Sequence, residues 1–373
     1  MQFTALSVVR QRIQVGMPLP FNVRDADKTL LLARGQHVES AEQLVALLER
    51  GALVDVYELL SPRERVMKAP REELPRMWQE GMQRVHNALL HAPHHSFGGA
   101  LADACDPVVS LVERDPDLAI FQVLRQEGGA GVAYGVRRSL HTAITSHLVA
   151  QRLGWEPDAC ERAFKVALTS NLSMLELQGQ LARQKSAPTA EQIEALRTHP
   201  MRSVELLELG GIRDVDWLQA VERHHEVEDG SGYPTGCTDV GDLASLVRRA
   251  DVYTSKLASR SHRDALSADR AGREMFMQDP GHPMTAALVK EFGIYPPGCF
   301  VRLASGAVGL VVARGPSIVT PVVVCLSNER GVPLPVPVRV DTGAATSKVE
   351  AIVGESHLPF PVSPEKMVAL TVG

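Results

Sequence analysis

Five cysteines in 373 residues, Cys105, Cys160, Cys237, Cys299 and Cys325, are scattered without a Cys-x-x-Cys pair. That excludes a disulfide framework and a zinc knuckle, and suits reduced thiols in a cytoplasmic protein. Excess charge of one sign is also missing: the net charge is −5, which argues against a general nucleic-acid surface. No apolar run approaches the ~20 residues of a membrane helix. Arg10 and Arg12 interrupt the N-terminus before a signal-peptide core could form, so no membrane association is expected. Hydrophobic content is 45 %, ample for ordinary cores, and the length suits two or three domains.

Residues 1–60 read as a small α/β module. Val15 to Leu19 and Thr29 to Leu32 have strand character around the turn-prone Arg24 to Asp27. A helix is expected from Ser40, with Gln43 placed for a capping box and Gly51 as its stop. Residues 61–76 are rich in charge and proline and read as a linker. Residues 77–284 carry helical periodicity, with a capping box at Thr189 and Gln192 ahead of His199-Pro200. His86, His91, His94 and His95 lack a carboxylate at ligand spacing and read as a solvated helix end. From 285 to 373 alternation takes over, at Phe300–Leu303, Val308–Val312 and Pro321–Val324, as in a small β-rich domain or barrel. The fold class expected is therefore mainly α: a helical domain flanked by a small N-terminal α/β module and a small β-rich C-terminal domain.

One stretch carries the chemistry. His224-His225-Glu226 offers two imidazoles and a carboxylate to orient them. Asp229, Gly230 and Gly232 then form a loop with room for close approach, and Tyr233-Pro234 closes it with an aromatic ring and a fixed φ. The string His-His-Glu-x-x-Asp-Gly-x-Gly-Tyr-Pro resembles the signature of HD-GYP proteins, relatives of HD-superfamily phosphohydrolases. The resemblance implies a helical domain with a two- or three-metal centre that hydrolyses cyclic di-GMP. It assigns ligands to His141, an adjacent doublet, His199, His224, His225 and Asp251. It also matches Arg260 and Arg263 to phosphate-contacting arginines, though arginines after a helix also cap its carbonyls.

The doublet departs from the pattern. Where the family has His-Asp, this chain has Ser170-Asn171, and the lysine expected three residues on is Met174. A bridging Asp offsets the repulsion of two ions ~3.5–4 Å apart, and a neutral amide cannot do so. The position at His141 and Asp251 is therefore expected to be empty or weak. His199, His224 and His225 leave two alternatives: a site for one divalent metal (Fe, Mn or Zn), or imidazoles bonded to one another in a polar core. The resulting expectation is a degenerate protein of cyclic-di-GMP signalling, acting as nucleotide sensor or docking scaffold with little or no hydrolysis. Its rival is a metal-dependent phosphodiesterase or other phosphohydrolase working from the reduced site. As partners, the resemblance implies cyclic di-GMP and GGDEF-domain proteins, the latter through the loop Asp229, Gly230, Gly232, Tyr233 and Pro234; a homodimer is a further expectation.

Overall fold

The structure is a computed structural model that describes residues 2–125, 131–261 and 264–373. The chain divides into two compact units, Met1–Ala69 and Pro70–Gly373.

The first unit has a four-stranded antiparallel sheet, ordered β1-β4-β2-β3. Its strands are β1 (Phe3–Ala5), β2 (Val23–Arg24), β3 (Leu30–Leu32) and β4 (Leu53–Asp55), with α1 (Ala41–Glu49) and α2 (Pro62–Lys68). Leu6, Phe21, Val38, Leu44 and Val54 form its core. The Ser40 hydroxyl accepts from the Gln43 amide, and Gly51 ends the turn at φ 73°, so α1 starts and stops where its sequence signals lie. Val15 to Leu19 does not become a strand; the turn at Gly16 leaves only one bridge there, Pro18 to His37. The charged, proline-rich segment 61–76 contains the boundary between the two units and is partly helical. Ser61 and Glu64 close a reciprocal capping box that starts α2, and a further helix begins at Leu74.

The second unit is a helical body. It comprises α3 (Leu74–Leu90), α4 (Phe97–Arg114), α5 (Pro116–Leu124), α6 (Gly131–Arg152), α7 (Pro157–Thr169), α8 (Leu175–Arg183), α9 (Ala190–Leu209), α10 (Val215–Arg223), α11 (Asp242–Leu257), α12 (Ala268–Gln278) and α13 (Pro283–Phe292). The long, buried α6 is its axis and packs on α7, α8, α11 and α13. Two glycines permit the closest crossing. A Cβ on Gly135 of α6 would fall on the Leu175 carbonyl, and one on Gly179 of α8 would fall on the Gly131 backbone. Tyr253 of α11 is core, edge-on to Phe292 at 4.8 Å between ring centres.

A five-stranded antiparallel sheet, ordered β8-β7-β6-β5-β9, belongs to the same unit. Its strands are β5 (Phe300–Leu303), β6 (Val308–Ala313), β7 (Val322–Ser327), β8 (Pro333–Asp341) and β9 (Val349–Val353), followed by α14 (Pro364–Val372). Among the described residues β8 and β9 are unpaired edges, so the sheet is open and not a barrel. It is tied to the helices by Arg314, which bridges Asp117 of α5 and Glu291 of α13, each at 2.5 Å. No described helix is long and apolar enough to cross a membrane.

Candidate metal centre

The interior of one helix, the end of another and the loop that follows it build the site. His199 sits inside α9, directly before Pro200. Proline has no N–H, so the Leu196 carbonyl one turn back loses its helical donor. The His199 Nδ1–H takes that place, at 2.7 Å from Leu196 O. His224 caps the C-terminus of α10, where the last carbonyls also lack helical partners. Its Nδ1 lies 2.6 Å from Val221 O. Both rings thus donate through Nδ1 to backbone and turn their Nε2 lone pairs inward.

Those two Nε2 atoms face each other at 3.1 Å. Burial first, and neighbouring imidazoles second, push His199, His224 and His225 down to about 3, so all three are neutral near pH 7. With Nδ1 carrying the proton on each ring, neither Nε2 can donate to the other. Two facing lone pairs are repulsive unless a cation lies between them. In a tetrahedral shell with metal–nitrogen bonds of ~2.0–2.1 Å, two nitrogens stand ~3.3 Å apart, close to the spacing here. His225 completes the group: among the described residues, His199, His224 and His225 are the cluster of His, Cys, Asp or Glu that could hold a metal, all ligand atoms within 4.8 Å. The donor set fits one divalent ion and disfavours a merely hydrogen-bonded polar core.

The loop is folded against these rings. Tyr233 stacks on His225, with ring centres 4.6 Å apart and planes 17° from parallel. Gly232 passes so close to Glu226 that a Cβ would meet its Cα, and would lie 2.5 Å from Val227 N and 2.6 Å from His225 O. Asp229 caps its own turn, accepting from Ser231 N at 2.9 Å, and Gly230 takes φ 79°. Glu226 does not orient the histidines. It is fully buried and accepts from Thr235 N, the Thr235 hydroxyl and Gly236 N, which makes it the clasp of the loop. The next acidic residue, Glu228, anchors the loop to α11 through Ser245, Arg248 and Arg249. Burial works to raise the Glu228 carboxyl, but the Ser245 hydroxyl and the two arginines hold it down at about 2.

The remaining predicted residues lie as follows. Thr169, at the end of α7, accepts from the Trp217 indole of α10 at 2.9 Å, and Ser173 donates to the His199 carbonyl at 3.0 Å. Ser170 and Asn171, between those two anchors, are fully buried. Ser170 donates to Ala167 O, and among the described residues Asn171 Oδ1 has no hydrogen-bond partner. Met174 is buried and apolar. Asp251 of α11 is near enough to draw the titration of His199 and His224 upward against burial. However, its carboxylate is held by Arg138, with Nη2 3.3 Å from Oδ1. His141, one turn after Arg138, makes no hydrogen bond or ion pair to Asp251 or to the three histidines among the described residues. It lines a cavity of about 750 Å³ with Gln83, Phe121, Arg125 and Arg137. Arg260 donates to the Ser255 hydroxyl at 2.8 Å, and Arg263 lies outside the described residues. His91, His94 and His95 are exposed and form no metal-competent group among the described residues.

Sequence reading missed Arg138, Thr142, Glu228 and Arg249. Of these, Arg138 had one signal: it shares a helical face with His141 three residues on.

No family model matches the chain. Curated relatives do. Cyclic di-GMP phosphodiesterase PA4108 of Pseudomonas aeruginosa is 29 % identical over 262 residues, 68 % of this chain and 61 % of that protein. Cyclic di-GMP phosphodiesterase response regulator RpfG of Xanthomonas campestris pv. campestris is 27 % identical over 239 residues, 62 % of this chain and 59 % of that protein. Cyclic di-GMP phosphodiesterase PdeB of Borreliella burgdorferi matches 36 % of this chain at 20 % identity. The match thus spans about three fifths of the first two relatives. Among solved structures, Bd1817, an HDG"Y"P protein from Bdellovibrio bacteriovorus, superposes with a TM-score of 0.50 over 78 % of this chain and 98 % of that one. At 16 % identity that likeness speaks to fold alone. The chain is therefore similar in sequence to proteins named as cyclic di-GMP phosphodiesterases, and it has an HD-GYP-type fold.

Proposed function

We propose that this chain is a degenerate HD-GYP protein of cyclic-di-GMP signalling, a nucleotide sensor or docking scaffold with little or no hydrolysis. The observation that carries the reading is the pairing of Asp251 with Arg138, together with the neutral, buried Ser170 and Asn171 at the doublet positions. A phosphodiester is hydrolysed in two-metal sites by ions that clamp attacking and leaving oxygens together, and that demands bridging carboxylate charge. Asn171 is neutral, Asp251 is already paired, and Met174 brings no positive charge to a developing phosphorane.

His199, His224 and His225 would hold one divalent ion, Fe, Mn or Zn. When bound, it would polarise a phosphate oxygen or acidify a water. The chain's own groups do the rest. The Leu196 and Val221 carbonyls fix the imidazole tautomers, and the Tyr233 ring covers one face of His225. Arg248, close enough to His225 to depress its titration, supplies positive potential for an anionic ligand. Arg260 and Arg263 are further phosphate-contact candidates. Cyclic di-GMP as ligand rests on the names of the relatives. Docking of a GGDEF domain on Gly232 to Pro234 would use the edge of Tyr233, since one ring face is given to His225. Homodimerisation and a cytoplasmic location belong to the same proposal.

The facing Nε2 atoms favour a second reading, a slow single-metal phosphodiesterase. An assay with manganese-loaded protein separates the two. Calorimetry should detect cyclic di-GMP binding, and chromatography should find no linear product above a protein-free control. Turnover that disappears in His224→Ala would overturn the non-catalytic reading.

A further inference from the structure

Asp251 is the carboxylate that the resemblance assigns to a second metal, and Arg138 and Thr142 already hold its Oδ1. The Arg138 guanidinium lies 3.3 Å from its Oδ1 and 3.4 Å from its main-chain oxygen. The Thr142 hydroxyl is 3.3 Å from the same Oδ1 and 3.1 Å from both Arg138 O and the Thr254 hydroxyl. Arg138 and Asp251 side chains are only 5 % and 16 % exposed. A guanidinium in such a place is rigidly framed and cannot swing into solvent without opening α6 from α11.

We propose that Arg138 is a resident cation that takes the place of a second metal ion at Asp251, so that this centre is built to hold one ion. Charge is the reason. The Arg138 charge offsets that of Asp251, Ser170 and Asn171 are neutral, and a dication at Asp251 would meet a fixed positive charge already beside that carboxylate. Residue type matters as much as position. A histidine there could lose its proton and become a ligand, whereas arginine stays protonated at any pH the fold survives, so the block is permanent. Restoring the doublet alone should therefore fail to restore a second ion. The proposal rests on the three-histidine reading only for the first ion; the block at Asp251 stands by itself.

The test is metal content per chain after identical loading with manganese, in three full-length proteins: wild type, Ser170→His with Asn171→Asp, and those two together with Arg138→His. The expected counts are one, one and two. Two ions in the protein that keeps Arg138 would overturn the proposal, as would a folded triple variant that holds no more ions than the double variant. Counts of none, none and one would remove the histidine-trio reading and leave the Arg138 block intact. Should the triple variant fail to fold, a thermal double-mutant cycle of Arg138→Met and Asp251→Asn decides the same question. Arg138→Met should melt lower than wild type, and adding Asp251→Asn should recover much of the loss. Additive losses would show that the two residues do not compensate each other, and the proposal would fall.

Discussion

At the scale of single residues, the site is set by which atom of each imidazole holds the proton. His199 owes its tautomer to the residue after it: Pro200 removes an amide, and the orphaned Leu196 carbonyl takes the His199 Nδ1–H instead. Pro200→Ala would return an N–H to that carbonyl and set it in competition with the imidazole. The expected result is a rise of roughly 10-fold in the metal dissociation constant, the lower end of what loss of a ligand's supporting bond costs. The fold should be unharmed, because a helix-interior proline is itself unfavourable by ~3 kcal/mol. Competition against a calibrated chelator measures the affinity, and an unchanged constant would show that Pro200 merely bends the helix. The His199-Pro200 dipeptide was legible in the sequence as a helix feature, but not as a tautomer lock. Glu226 was legible only as an acid beside two histidines; that it clasps Thr235 and Gly236 depends on a loop path no spacing reveals. Arg138 was hidden for a different reason. Positions 138 and 141 share a face of α6, and only the rotation of that helix against α11 decides which meets Asp251.

At the scale of elements, one loop and one helix are joined by charge. Glu228 carries the loop from His224 to Gly236 onto α11 through Ser245, Arg248 and Arg249, and Arg249 continues to Asp279 at 2.7 Å. The Glu228 carboxyl sits at about 2 in the folded protein, below the ordinary value of 4.5. A depressed acid binds fewer protons folded than unfolded, so its stabilisation is complete above pH 4.5 and fades as pH falls toward 2. The difference in melting temperature between wild type and Glu228→Gln should accordingly be constant from pH 7 to 5 and shrink below 4.5. A difference independent of pH across that range would mean that the side chain acts by shape and hydrogen bonding alone. Helix starts with side-chain caps were readable, as Ser40 and Thr189 show. Strand β8 was not, because Pro333, Pro335 and Pro337 argue against a ladder; it survives as an edge, where missing amide donors cost little.

For the whole molecule, a mainly helical chain with two small β parts follows from periodicity, and the order of His199, His224, His225 and Asp251 along it anticipates residues on neighbouring helices. What periodicity could not supply is charge in three dimensions. The helical unit carries three neutral imidazoles gathered at one place and an Arg138–Asp251 pair whose charges offset each other. That asymmetry is the central claim: a site for one ion, with its second position already filled by protein. Crystals grown with manganese and measured near its absorption edge test it directly through the anomalous difference map. One peak is expected, within bonding distance of His199 Nε2 and His224 Nε2, and none beside Asp251. A second peak at the Asp251 carboxylate with Arg138 displaced, or no peak at the histidines, would contradict it.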